Sequence, residues 1–301
     1  MKITPAVKRQ FVLGLACLIA GILIGTEMES LSSIFRCRVR EVSFAGPAHH
    51  AIVGKIYYPT GLFRRKYHGI LFCHGVLPRG KDTSLYVYLM RRLARKGYLV
   101  LIFDLRGFGE SAKVANFRVP GDCNYVAETK AALSYMLREL PVDREHLTIA
   151  GHSMGANLAL AVGAADDRVR NIIVISAGNF VAGHGDAAGA KTPLCRRFEN
   201  MVKHDVSPQE WSRITRPLDL FQYLPIPGRK NILVALADDD APSIIHYNRA
   251  FYERLNTPKE LVIIRDSDHN FGFDMASANE MIDPSAGIRL VQAMDRWLSP
   301  R

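Results

Sequence analysis

The sequence predicts an α/β fold with a mainly parallel sheet covered by helices on both faces. Two features of its patterning carry that reading. Short, continuously apolar runs such as Gly69–His74, Tyr98–Phe103 and Val169–Ser176 are bounded by turn residues, as expected of strands buried on both faces. Between such runs lie longer stretches that are apolar on one side, as in Ser84–Lys96, where Leu85, Tyr88, Leu89 and Leu93 recur at helical spacing. The chain has 301 residues and is 48% apolar, enough for one large buried core.

The elements follow in order from about Arg38. Glu41–Phe44 and Ala51–Tyr58 are expected as two strands joined around Gly46-Pro47, an antiparallel lead-in. Gly69–His74 is a strand that runs into a loop with Pro78 and Gly80, and Ser84–Lys96 is a helix. After the strand Tyr98–Phe103 comes a polar, glycine-rich stretch to about Asp122. Asn124–Leu140 is helical, His146–Ala150 a strand, Ser153–Gly163 a helix of small residues and Val169–Ser176 a strand. The beat resumes with strand Asn231–Leu236, helix Pro242–Leu255, strand Glu260–Ile264 and helix Ile282–Leu298.

Two regions interrupt the alternation. Between Ala177 and Lys230 lie several glycines and prolines and the amphipathic stretch Arg196–Val202, an excursion whose length marks a cap or lid over residues 178–230. At the other end, Lys2, Lys8 and Arg9 precede an unbroken apolar run from Phe11 to Gly25. A helix of that run spans about 22 Å, short of the roughly 30 Å hydrocarbon core. It suits a signal peptide, with Ser30-Leu31-Ser32 as a cleavage region, or an uncleaved anchor whose basic residues snorkel. Residues 1–32 are therefore expected to be an anchor or signal segment and 33–301 the globular domain. The reading favours membrane association through residues 11–25 with the domain on the outer face, or secretion.

The net charge of +10 comes from Lys and Arg scattered along the chain, and no basic stripe interleaved with aromatics points to nucleic acid. Five cysteines, at positions 17, 37, 73, 123 and 195, form no close pair, so a zinc site or a redox dithiol has no basis. One bridge among Cys37, Cys123 and Cys195 stays open, while Cys73, inside an apolar strand, is expected as a small buried hydrophobe. His49 and His50 are adjacent and would point to opposite faces of a strand, so no metal is expected. Gly107-Phe108-Gly109-Glu110-Ser111-Ala112 matches a dinucleotide fingerprint in form, but Val119-Pro120-Gly121 interrupts the helix it would need, and no cofactor is expected.

The chemistry is concentrated at strand ends. Gly151-His152-Ser153-Met154-Gly155 follows a strand and opens a helix, the context of a nucleophile elbow, where the turn leaves no room for side chains beside the serine. A serine is a weak nucleophile and needs a base held by a carboxylate. The strand Asn231–Leu236 ends in Asp238-Asp239-Asp240, and the strand Glu260–Ile264 leads to His269 in the following loop. The order Ser153, acid, His269 at three strand ends is the order this kind of site requires. Asp238, Asp239 and Asp240 are all candidates for the acid. His152 reads as a packing neighbour. The backbone N–H groups of Val76, after His74-Gly75, and of Met154 are the expected oxyanion donors.

With His74-Gly75, the segment Asp104-Leu105-Arg106-Gly107-Phe108-Gly109-Glu110-Ser111, the Ser153 elbow, Asp240 and His269 in sequence, the chain resembles the α/β-hydrolase superfamily from about Arg38 to Leu298. It is similar to that family's esterase and dipeptidyl-peptidase-like branches. The resemblance implies an eight-stranded, mostly parallel sheet with a variable cap in the place of Ala177–Lys230, and hydrolysis through an acyl-enzyme. The resemblance implies Asp240 as the acid, three residues after Ala237, with Asp238 or Asp239 in its place if the turn is shifted. The chain departs from the usual pattern at Ala237, where a glycine is more common, and at Ala241-Pro242-Ser243. The expected partner is a small-molecule acyl substrate, an ester, thioester or amide. The alternative is a non-catalytic binder of a small molecule or protein on the same fold.

Overall fold

The computed structural model describes residues 37–59, 65–111, 123–180, 191–274 and 283–299. The apolar run 11–25 lies outside them. No helix among the described residues is long and apolar enough to cross a membrane.

The strands are β1 (Cys37–Ala45), β2 (Ala51–Pro59), β3 (Tyr67–Cys73), β4 (Leu99–Phe103), β5 (Val142–His152), β6 (Asn171–Ile175), β7 (Asn231–Ala237) and β8 (Lys259–Ile264). They form one eight-stranded sheet in the order β1-β2-β4-β3-β5-β6-β7-β8. β2 pairs antiparallel with β1 and β4, and every pairing from β4 to β8 is parallel. The lead-in hairpin and the parallel sheet are as the sequence predicts. β5 begins at Val142, earlier than the expected His146, because Tyr67 and His68 of β3 pair with Val142 and Asp143.

The helices are α1 (Ser84–Arg95), α2 (Tyr125–Glu139), α3 (Met154–Ala165), α4 (Pro193–Val202), α5 (Pro208–Thr215), α6 (Pro242–Arg254) and α7 (Pro284–Leu298). Alternate residues of the central strands face two cores. Leu71, Cys73, Leu101 and Phe103 pack with apolar residues of α2, α3 and α6, such as Leu133, Leu158 and Phe251. Ile70, Phe72, Val100 and Ile102 pack with those of α1 and α7, such as Leu89 and Leu290. Period-two alternation on a doubly covered sheet explains why these strands read as continuous apolar runs. α3 is buried from Met154 to Ala164, which accounts for its composition. At Gly163 a Cβ would come within 2.7 Å of Ile149, so larger residues would push the helix off the sheet.

Among the described residues, the excursion between β6 and β7 holds α4, α5 and the 3-10 turns Arg216–Leu218 and Leu220–Tyr223. Its root is fixed by two buried amides. The Nδ2 of Asn157, on α3, donates to the Gly178 and Leu218 carbonyls at 2.9 and 2.6 Å, and its Oδ1 accepts from the Gly178 N–H at 3.1 Å. Asn248, on α6, holds Ala177 from both sides, accepting from its N–H at 3.0 Å and donating to its carbonyl at 2.8 Å. None of Cys37, Cys73, Cys123 and Cys195 is joined in a disulfide, so the bridge considered among Cys37, Cys123 and Cys195 does not form. Cys73 is the buried hydrophobe that its strand position implies.

Candidate active site

Five strands, β3 and β5 to β8, deliver their C-terminal ends to one cavity of about 670 Å³, and Gly75, Val76, Ser153, Gly178, Ala241 and His269 are among its lining residues. At the end of β5 the chain turns sharply into α3. Ser153 takes φ 54° and ψ −123°, a left-handed conformation that side chains rarely adopt. The flanking glycines are required by contact. A Cβ on Gly151 would stand 2.0 Å from the Gly155 carbonyl oxygen, and one on Gly155 would stand 2.0 Å from the Cys73 carbonyl oxygen. The turn therefore packs directly on the end of β3 and lifts Ser153 into the cavity at the N-terminus of α3.

The loop after β3 runs past this turn. A Cβ on Gly75 would lie 3.0 Å from the Ser153 Cβ, so the backbone leading to Val76 passes beside the serine. His74, fully buried, shapes this loop: its Nδ1–H donates to the Gly75 carbonyl at 2.7 Å, and its Nε2 accepts from the Leu105 N–H at 3.0 Å. Burial holds His74 below its ordinary pKa, consistent with this neutral tautomer. Met154 and Val76, the two expected oxyanion donors, thus stand on either side of Ser153.

Behind the loop lies a buried ionic cluster. The Asp104 carboxylate accepts from the Lys81 N–H at 2.7 Å and from the Glu110 N–H at 2.9 Å, and the Lys81 ammonium reaches it at 3.0 Å. The same ammonium bonds Asp82 at 2.7 Å and Glu110 at 2.5 Å. Asp104 of the D-x-R-G-x-G-x-S segment therefore fastens the loops after β3 and β4 together, while the Ser111 hydroxyl closes the segment on itself by donating to the Asp104 carbonyl at 2.7 Å. Lys81, with no exposed side-chain surface, carried no signal in the sequence.

Of the three aspartates after β7, Asp240 turns inward and Asp238 and Asp239 are exposed. The His269 Nδ1–H donates to Asp240 Oδ2 at 2.7 Å, while Asp240 Oδ1 accepts from the Ala241 N–H at 2.7 Å. Burial pushes the Asp240 carboxyl up, but the hydrogen bond and charge of His269 outweigh it and hold the group below its ordinary range. Asp238 instead accepts from the Ser267 N–H at 3.1 Å, helping to fix the loop after β8. Asp268 braces the same loop by accepting from the Asn270 and Gly272 N–H groups, each at 3.1 Å. With Nδ1 committed to Asp240, the Nε2 of His269 is the ring atom left for proton transfer. His269 and Ser153 share the cavity without a mutual hydrogen bond among the described residues; in ligand-free sites such bonds are commonly long and close around substrate.

His152 packs beside Ser153 as its place in the turn implies, and it does more than the sequence indicates: both its ring nitrogens are engaged, one by Tyr86 Oη at 2.9 Å and the other by the His269 carbonyl at 2.8 Å. No group of three or more His, Cys, Asp or Glu side chains among the described residues is arranged to hold a metal ion.

Comparison with known proteins agrees with this architecture. A family model described as serine aminopeptidase, S33, matches residues 66–219, from β3 into the cap. The matched stretch contains Ser153 and stops short of Asp240 and His269. The fold is similar to a structure of Est1E from Butyrivibrio proteoclasticus with bound ferulic acid, at TM-score 0.63 and 15% identity, covering 83% of this chain and 95% of that one. It is also similar to the α/β hydrolase GrgF from Penicillium sp. sh18, at TM-score 0.60 and 14% identity, covering 87% and 97%. A third similar structure is an α/β serine hydrolase homologue from Coxiella burnetii, at TM-score 0.57 and 18% identity, covering 86% and 97%. No curated protein matches the chain.

Proposed function

The chain belongs to the family described as serine aminopeptidase, S33, within the α/β-hydrolases, and from that membership we propose that it hydrolyses esters through an acyl-enzyme on Ser153. The observation that carries this is the Asp240–His269 pair, bonded at 2.7 Å, in the cavity that also exposes the positive-φ Ser153. Ser153 Oγ attacks the carbonyl carbon while His269 Nε2 takes its proton. Asp240 holds the imidazole in the required tautomer and stabilises the imidazolium. The Val76 and Met154 N–H groups stabilise the oxyanion. His269 then protonates the leaving oxygen and activates the water that releases the acid.

The cavity supports an ester over a peptide with a free N-terminus. Among its described lining residues there is no carboxylate to neutralise an ammonium group, and the cap contributes a cation, Arg197. The remaining wall is largely apolar, with Val76, Leu77, Phe180, Leu194, Trp211 and Ile244, which suits an aliphatic or aromatic acyl group. We therefore expect p-nitrophenyl butyrate to be cleaved and alanine p-nitroanilide to be cleaved far more slowly or not at all. The Phe11–Gly25 run also supports either a membrane anchor or a signal that directs secretion, in both cases with the domain on the outer face, which protease treatment of intact cells and assay of the medium test.

The deciding experiment is labelling of the full chain with a fluorophosphonate beside Ser153→Ala. Labelling that disappears in the variant establishes an activated serine. A folded wild-type chain that resists the probe would overturn the reading and leave the non-catalytic binder. Asp240→Asn should label slowly and lower kcat by roughly 10³- to 10⁴-fold, because the amide stabilises the wrong tautomer of His269.

A further inference from the structure

We propose that His152 and Tyr86 form a positioning relay that locks the oxyanion loop, the nucleophile turn and the general-base loop in register. The proposal deepens the hydrolase reading and rests on it for its effect on rate. Its evidence is one run of hydrogen bonds through buried groups. The Gly75 N–H donates to Tyr86 Oη at 2.8 Å, Tyr86 Oη meets His152 Nδ1 at 2.9 Å, and His152 Nε2 meets the His269 carbonyl at 2.8 Å.

The polarity of the run is determined by its ends. A carbonyl can only accept, so His152 Nε2 carries the proton and donates it to His269. In the neutral ring Nδ1 is then an acceptor, and the Tyr86 hydroxyl donates to it. The Tyr86 oxygen is left to accept from Gly75, which can only donate. With His152 neutral, each of these protons has an acceptor. Protonation at Nδ1 would reverse that contact and turn the buried Tyr86 hydroxyl proton away from its acceptor.

The environment enforces that state. His152 is 1% exposed and Tyr86 fully buried. The His269 ring lies 4.8 Å from the His152 ring, Tyr86 at 5.9 Å and Phe271 at 5.8 Å. Burial, and then the nearby His269, push the His152 imidazole down to about 3. His152 is therefore unsuited to exchange protons near neutrality and suited to hold backbone. One of its contacts fixes the residue before Val76, through Tyr86, and the other fixes the main chain of His269. Ser153 follows His152 directly in sequence. The relay thus spans the ends of β3, β5 and β8 and reaches the three parts that must stay within a fraction of an ångström of one another.

The test uses the full chain with Tyr86→Phe, His152→Phe, the double variant and His152→Gln, with melting curves to confirm folding. Each single change should lower kcat on p-nitrophenyl butyrate, and the rate of fluorophosphonate labelling, by about 10- to 100-fold with KM nearly unchanged. The double variant should fall little further than the worse single one, since both break the same run. His152→Gln, which can still offer an N–H to the His269 carbonyl, should recover part of the loss. Folded single variants with wild-type rates, or losses that multiply in the double variant, would overturn the relay. Nitrogen-15 NMR of the histidine rings gives a readout independent of turnover. His152 should stay neutral at pH 5 with its proton on Nε2, and Tyr86→Phe should move the His152 and His269 signals. A His152 that titrates near its ordinary value, or carries its proton on Nδ1, would overturn the relay. A wild-type chain that is not labelled would sink the hydrolase reading alone, and the NMR result would still decide the relay.

Discussion

At Ser153 the backbone is held at a φ of 54° by what surrounds it, since a Cβ on either flanking glycine would overlap a main-chain carbonyl at 2.0 Å. Gly151→Ala or Gly155→Ala must therefore displace β3 or the first turn of α3. We expect each to lower the unfolding free energy by about 3 kcal/mol or more, measured by denaturant titration. A second residue-scale prediction concerns Lys81. Burial pulls its ammonium pKa down, but hydrogen bonds to Asp82 and Glu110 and the charge of Asp104 outweigh it and hold the pKa above the ordinary value. Lys81→Met leaves Asp104 buried without its cation and should cost about 3–5 kcal/mol in the same assay. Ser153, Asp240 and His269 were legible because each sits where a strand ends, so local sequence reports position. Lys81 and the Tyr86–His152 pair were not. Their partners lie 23 and 66 residues away, and no local pattern marks a lysine or tyrosine as buried.

At the scale of elements, the helices and strands that pack on the central sheet matched their sequence periods closely. Differences fall where tertiary contact overrides pattern. The start of β5, Val142-Asp143-Arg144-Glu145, is largely polar and solvent-facing, and pairing with the first residues of β3 makes it a strand. α5 is short, but it carries a readable signal in Ser207 and Glu210, a capping box in which the Glu210 N–H donates to Ser207 Oγ at 3.3 Å and the Ser207 N–H donates to Glu210 Oε2 at 2.8 Å. The two asparagines at the root of the cap had no such signal. Asn157→Ala would leave the Gly178 and Leu218 main-chain groups unpaired in a buried place. We expect a loss of about 1–3 kcal/mol, seen as a melting temperature lower by roughly 2–8 °C.

For the whole molecule, the buried histidines set the response to acid. Burial pulls His152 down to about 3 and His68 to about 4, and lowers His74 as well. In each case the unfolded chain binds the proton more readily, so stability is complete above the unfolded value near 6.5 and is lost as the pH falls below it. Asp82, Asp166 and Asp240, held below their ordinary range, add a further loss as the pH falls through the carboxylate range. Denaturant midpoints should therefore begin to drop near pH 6, with His152 and His68 each costing about 2 kcal/mol by pH 5. A midpoint flat down to pH 4 would show that these rings are not held neutral by the fold.

The bidentate grip of Asn157 on Gly178 and Leu218 has one more consequence. A single side-chain amide ties the point where the cap leaves the sheet to Leu218, late in the cap. The segment between them is a cassette on a fixed clasp. Its length and sequence can change, and with them the shape of the cavity wall, while the strand ends that carry Ser153, Asp240 and His269 keep their places. In such a molecule the range of substrates and the chemistry performed on them can evolve separately.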